Sequence, residues 1–188
     1  MSTQPQTYLT PEEYLTIERQ ATDKSEYVDG VMYAMSGASF KHNVIVANVV
    51  AELVQQLKGR PCLALPSDIK VRMPDSRKFF YPDVSVVCGE PQFHDERSDV
   101  LLNPTLIVEV LSESTAAFDR GEKFQAYQQL DSLQEYLLVS QDKIFIEQYV
   151  RQAREKWTYI AMVGLESSLT LPSIECALSL KAVYDKTD

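Results

Sequence analysis

The chain has 188 residues, 45% of them hydrophobic and 24% charged, which fits one soluble domain that can bury its own core without staples. No apolar run approaches the roughly 20 residues of a bilayer span, and residues 1–6 have neither the basic start nor the apolar core of a secretory signal, so a cytoplasmic protein is expected. A formal net charge of -9, from 18 basic and 27 acidic residues, excludes holding nucleic acid by bulk electrostatics, so any such contact must be local.

Thr10-Pro11-Glu12-Glu13 opens a helix: Thr10 caps, Pro11 suits the first position and Glu13 completes a capping box, with the end expected near Gln20. Residues 25–28 and 31–35 read as a hairpin, because Asp29-Gly30 supplies the positive φ angles of a type I′ turn. The longest helix is expected over residues 40–58, closed by Gly59 and Pro61, with His42, Val46, Val49, Leu53 and Leu57 on one stripe. Alternation of Ile69, Val71 and Met73 with Asp68, Lys70 and Arg72 predicts a half-exposed strand over residues 67–73, turned at residues 74–77 into a return strand over residues 81–88.

Residues 89–104 read as a long polar loop, followed by a strand over residues 105–111 and a helix over residues 119–130, where Asp119 and Glu122 have capping-box spacing. Strands at residues 135–140, 143–150 and 157–163 form a meander, residues 169–174 are too short to assign, and residues 178–184 suit a closing helix. Only residues 1–6 and 186–188 look loose. Cys62, Cys88 and Cys176 are odd in number, widely spaced and apolar in surroundings, so reduced core thiols are expected; with two histidines and no close Cys/His pairs, a structural zinc site is not. The expected architecture is α/β (α+β), a mixed β-sheet core flanked by helices. It divides into an N-terminal helix and hairpin (7–38), a core (39–140) and a C-terminal meander and helix (141–188).

Two short apolar runs, Tyr81-Pro82-Asp83-Val84-Ser85-Val86-Val87 and Leu106-Ile107-Val108-Glu109-Val110-Leu111, each carry one carboxylate where a buried strand should carry none. If the strands are neighbours, Asp83 and Glu109 converge. A hard cation, Mg²⁺ or Mn²⁺, would take an oxygen from each, with the Val110 carbonyl and waters completing the shell. Lys123 on the next helix, sharing a face with Tyr127 and Leu130, would bring an amine to a phosphodiester held there. His42, Glu26, Asp68 and Tyr127 are secondary candidates; His94-Asp95-Glu96 has metal-ligand composition, but adjacent loop residues rarely converge. Lys70, Arg72, Arg77 and Lys78 form a candidate DNA patch.

Order and spacing resemble the PD-(D/E)XK nuclease superfamily and, closer still, its Uma-two family of endonucleases. The matching residues are Glu26-Tyr27-Val28-Asp29-Gly30, the helix carrying His42, Pro82-Asp83-Val84, Ile107-Val108-Glu109-Val110-Leu111-Ser112, and Asp119-Arg120 with Lys123 and Tyr127. The resemblance implies a restriction-endonuclease-like core, Asp83 and Glu109 as metal carboxylates, Lys123 as the third catalytic residue and homodimers. The departure is Leu111, which stands where the superfamily usually keeps lysine; Lys123 is the natural substitute. The leading expectation is a metal-dependent DNA endonuclease. The alternatives are a catalytically inactive dimeric module of the same fold that binds nucleic acid or protein, and a hydrolase of small phosphoesters.

Overall fold

The computed structural model describes residues 8–187; the loose end expected at residues 1–6 and Asp188 lie outside them. The capping box forms: the Thr10 hydroxyl accepts the Glu13 amide at 3.2 Å, the Glu13 carboxylate accepts the Thr10 amide at 2.7 Å, and α1 (Pro11–Glu18) follows. Tyr14 of α1 stacks on Tyr27, with centroids 4.9 Å apart. Tyr27 lies in β1 (Ser25–Val28), which pairs with β2 (Val31–Ala34) through Asp29 and Gly30 at φ 48° and 96°, the positive pair that a type I′ turn demands.

The main sheet has six strands. They are β3 (Cys62–Pro66), β6 (Val84–Cys88), β8 (Leu106–Leu111), β9 (Glu135–Ser140), β10 (Phe145–Ala153) and β11 (Lys156–Val163), ordered β11-β10-β9-β8-β6-β3. Only β8 and β9 pair in parallel, and the helical crossover between them carries Lys123. A second sheet, ordered β2-β1-β5-β4-β7, adds β4 (Lys70–Arg72), β5 (Lys78–Phe80) and β7 (Val100–Leu101).

Alternation along β8 divides the core. Leu106, Val108 and Val110 pack with α2 (Phe40–Leu57), the hairpin of β12 (Ser168–Leu171) and β13 (Cys176–Ser179), and α5 (Leu180–Val183). Ile107 and Leu111 face the other way, toward Phe124, Tyr127 and Tyr136. Ile45, Val49, Leu53 and Leu57 are the fully buried row of α2, each contributing roughly 1.5–3 kcal/mol of apolar burial. Glu109 lies on the aromatic side of the sheet because it alternates with Val108 and Val110.

Several expectations are corrected. The half-exposed strand over residues 67–73 is only β4, and it pairs with β5 rather than with residues 81–88; Lys70 and Val71 are both buried. Besides β8, the antiparallel partner of β6 is β3, a run that lacks a strand-like pattern and is extended by its neighbour. That register sets Cys62 opposite Cys88, and the two form a disulfide with Cα atoms 4.0 Å apart instead of the expected free thiols; Cys176 is the free buried cysteine. The loop at residues 89–104 contains β7, parallel to β4. Residues 169–174 contribute to β12, while Thr187 is buried and donates to the Tyr184 carbonyl, so the C-terminal segment is tied down at least to that residue.

The helix expected from Asp119 begins earlier, as α3 (Ala116–Phe118), passes through a π-helical turn (Asp119–Lys123) and continues as α4 (Phe124–Tyr127). Asp119 therefore sits inside the helical segment and is no N-cap. The wider turn lets Asp119 and Lys123 both face inward, 3.6 Å apart.

Lys70, 4% exposed, is held by Asp99 at 3.0 Å and by the Tyr81 hydroxyl at 3.2 Å; Asp99 also takes two hydrogen bonds from Arg19 of the residues ending α1. The Arg19 guanidinium, opposed by partial burial and aided by the Lys70 ammonium, holds the Asp99 carboxyl well below the usual carboxylate range. A depressed carboxylate contributes stability that is complete above its unfolded pKa, near 4, and is lost as pH falls toward the folded value. Asp99→Asn should cost about 2–3 kcal/mol at neutral pH, since it leaves the Lys70 ammonium buried without its counter-charge. In urea titrations the gap to wild type should narrow below about pH 4; a gap that ignores pH would contradict the assignment.

Candidate active site

Asp83 stands just ahead of β6, after Pro82, which has no amide to continue the ladder. The β6–β8 pairing ends at Val84 opposite Val108, so the next position along sets Asp83 beside Glu109. There the Asp83 Oδ2 accepts the Val110 amide at 2.7 Å, in place of a backbone carbonyl, and lies 3.3 Å from His42 Nε2 at the start of α2. Ser39 caps that helix by accepting the His42 amide, which fixes where the imidazole begins.

Lys123 reaches the same place from the π turn. Its Nζ is 2.9 Å from Glu109 Oε1, 3.0 Å from Glu26 Oε1 and 3.6 Å from Asp119 Oδ1, and it lies 5.4 Å from the centre of the Phe80 ring. Tyr127, one turn on, donates its hydroxyl to Glu109 Oε1 at 3.0 Å, and the Tyr81 amide donates to Glu26 Oε1 at 3.1 Å. The residue two positions after Glu109 that was expected to carry the departure, Leu111, is packed in the aromatic half of the core. The ammonium therefore comes from the helix and not from β8.

These side chains open on one cavity of about 680 Å³, which includes Glu26, His42, Asp83, Glu109, Asp119 and Lys123 in its wall. Burial raises the Glu109 carboxyl well above its ordinary value; Lys123 pulls it back, while Asp119, Asp83 and Glu26 push it further up. Burial also opposes the Lys123 charge, but the three carboxylates outweigh it and hold the ammonium protonated. Asp119 is raised by burial against the pull of Lys123. For His42, burial is overcome by the hydrogen bond and charge of Asp83, with help from the Val110 backbone, so its pKa is raised. Its Nδ1 is buried without a hydrogen-bond partner among the described residues.

The donor set can be tested against a divalent cation. Among the described residues both contacts of Asp83 go to Oδ2 and both of Glu109 go to Oε1, which leaves the second oxygen of each carboxylate without a hydrogen bond from them. Among the described residues no three His, Cys, Asp or Glu side chains are spaced to form a ready-made cage. A pair of carboxylates suits Mg²⁺, which keeps several waters and is seldom enclosed by protein alone.

Not every candidate arrives. Asp68 is paired with Lys24 at 2.7 Å on the surface and takes no part. His94 bonds Arg72 and Asp95 bonds Arg19, so the loop acids and histidine do not converge. Of the expected DNA patch, Lys70 is buried against Asp99, Arg72 is bonded to His94 and Ser76, and Arg77 and Lys78 share the one carboxylate of Asp29 at 2.8 and 3.4 Å. Asp119 was missed as a site residue because its spacing to Glu122 reads as a cap; the signal available was its i, i+4 relation to Lys123.

The chain matches the family model Uma2, described as "Putative restriction endonuclease", over residues 11–182. It is 38% identical over 156 residues to uncharacterized protein sll1609 of Synechocystis sp., across 83% of this chain and 88% of that protein. To uncharacterized protein slr1290 of the same organism it is 38% identical over 177 residues, 94% of this chain and 91% of that one. The crystal structure of a putative nuclease belonging to DUF820 from Anabaena variabilis matches with a TM-score of 0.77 at 18% identity, covering 96% of this chain and 99% of that chain, a likeness of fold. No helix among the described residues is long and apolar enough to cross a membrane. The matched span takes in Glu26, His42, Asp83, Glu109 and Lys123 together, and the chain belongs to the Uma2 family, with the nuclease-like fold that its sequence resembled.

Proposed function

We infer that this protein is a metal-dependent endonuclease that hydrolyses phosphodiester bonds in DNA at the cavity between Asp83, Glu109 and Lys123. The observation that carries the reading is the Lys123 ammonium, 2.9 Å from Glu109, delivered by the helix while Leu111 fills the strand position. Membership of a family described as restriction endonucleases supports a nucleic-acid substrate. Asp83 and Glu109 would hold Mg²⁺ or Mn²⁺ through their free oxygens, and such an ion supplies Lewis acidity and a bound water of lowered pKa.

The protein's own groups divide the remaining work. Lys123, kept protonated by its three carboxylates, is unsuited to accept a proton and suited to offset charge on phosphoryl oxygens. Tyr127 fixes the Glu109 oxygen that faces Lys123, and His42 and the Val110 amide fix Asp83. The buried Phe80 ring, 5.4 Å from the Lys123 ammonium, lowers the polarity around it, which strengthens each charge interaction there. The cytoplasmic location and the homodimer expected for such nucleases belong to the same proposal, and sedimentation of the purified protein tests the latter.

Incubation with plasmid DNA and Mg²⁺ or Mn²⁺ should yield nicked or linear product. Asp83→Ala should reduce the rate by at least about a hundredfold and remove the calorimetric signal of Mn²⁺ binding; equal products from both proteins would refute the reading. Lys123→Met should cost about 3–5 kcal/mol in urea denaturation, because three acids would then share a pocket without their cation. An unchanged midpoint would mean that the ammonium is not held among them.

A further inference from the structure

The site described so far occupies the inner end of its cavity, and the outer wall has a different chemistry. Residues 33–40, from the end of β2 to the start of α2, are all exposed and contain no charged side chain. Within them Tyr33 is 55% exposed and Met35 36%, and both line the cavity, as does the half-buried Phe118 that precedes the π turn. Register fixes the position of Tyr33 closely. It is the cross-strand partner of Glu26, so its side chain rises from the same face of the β1–β2 hairpin, next to the carboxylate that holds Lys123.

Charge decides what this wall can take. The cavity lining includes five carboxylates, Glu26, Asp83, Glu109, Asp119 and Glu122, against one lysine and no arginine. A duplex is held along its phosphates by many cations; the lining has a single lysine, Lys70 is buried against Asp99, and Arg77 and Lys78 have one positive charge between them beyond the one that Asp29 offsets. The cavity, about 680 Å³, has the size of a small-ligand pocket and admits a nucleotide, not a double helix. An uncharged wall with an exposed aromatic ring presents a surface for the flat apolar face of a base, and such stacking is tolerant of sequence.

We propose that the Tyr33 ring is a stacking platform for the base beside the scissile phosphate, and that the DNA entering the cavity is single-stranded or locally unpaired. This rests on the nuclease reading and adds to it the form of the substrate. Tyr33 binds and positions; the phosphate meets Asp83, Glu109 and Lys123 behind it. Unpairing a base costs least where the strand is already single, which gives the site its preference without any contact to base edges.

The test is fluorescence anisotropy with a labelled thymidine oligomer and with a duplex of equal length, in Ca²⁺, on wild type, Tyr33→Ala and Tyr33→Phe. Wild type should bind the single strand more tightly than the duplex. Tyr33→Ala should lose about tenfold of that affinity and Tyr33→Phe should keep it. An oligomer carrying 2-aminopurine should be quenched by wild type and by Tyr33→Phe, and much less by Tyr33→Ala. Duplex bound as tightly as single strand, or Tyr33→Ala equal to wild type, overturns the platform. If wild type also cuts duplex plasmid in Mg²⁺, the nuclease reading survives that loss; if it neither binds nor cuts either form of DNA, both fall.

Discussion

The Lys123 ammonium, buried among Glu109, Glu26 and Asp119, is the interaction on which the arrangement of this molecule depends. It ties together three parts of the chain: the N-terminal hairpin through Glu26, the centre of the main sheet through Glu109, and the crossover helix through its own backbone. Three carboxylates around one cation leave an excess of negative charge in a place that water scarcely reaches. Such an excess has two physical remedies, a retained proton or a second cation. Burial and the neighbouring acids push the Glu109 carboxyl toward the first, and the oxygens of Asp83 and Glu109 that take no hydrogen bond among the described residues leave room for the second. The same cluster thus ties the fold together and forms the centre of the proposed site.

Much of this was legible in the residues. The capping box at Thr10 and Glu13, the Asp29-Gly30 turn and α2 rest on local stereochemistry, which the chain states in consecutive letters. Asp83 and Glu109 stood out because a carboxylate inside an apolar run demands an explanation, and neighbouring strands gave it. What escaped was set by distant partners. β3 has no alternation of its own and exists because β6 lies beside it, and the same register joins Cys62 to Cys88 across 26 residues. Lys70 alternates like a surface residue, yet Asp99 draws it inside. The π turn left no mark, since Asp119 and Glu122 satisfy a capping pattern equally well.

The disulfide and the basic residues carry one lesson in common. Spacing along the chain suggested free thiols and a free patch, and pairing in space engaged Cys62 with Cys88 and set Arg77 and Lys78 against Asp29. The net negative charge is therefore offset at this edge only in part, since Lys70 is paired with Asp99 and Arg77 and Lys78 share Asp29.

Because the amine rides on the helix while Glu26 and Glu109 sit on the hairpin and the sheet, their separation from it is a matter of how one layer seats against another. Immediately after Lys123, Phe124 lies flat on Tyr136 of β9, with centroids 4.8 Å apart and planes inclined by 7°. That ring pair works as a mechanical stop: it sets the depth to which the helix sinks, and with it the reach of the neighbouring amine. In a lysine carried two positions along β8 the same distance would be frozen by the strand itself. Here it is adjustable by aromatic packing, so that variation at residues that touch no reactant can retune the centre.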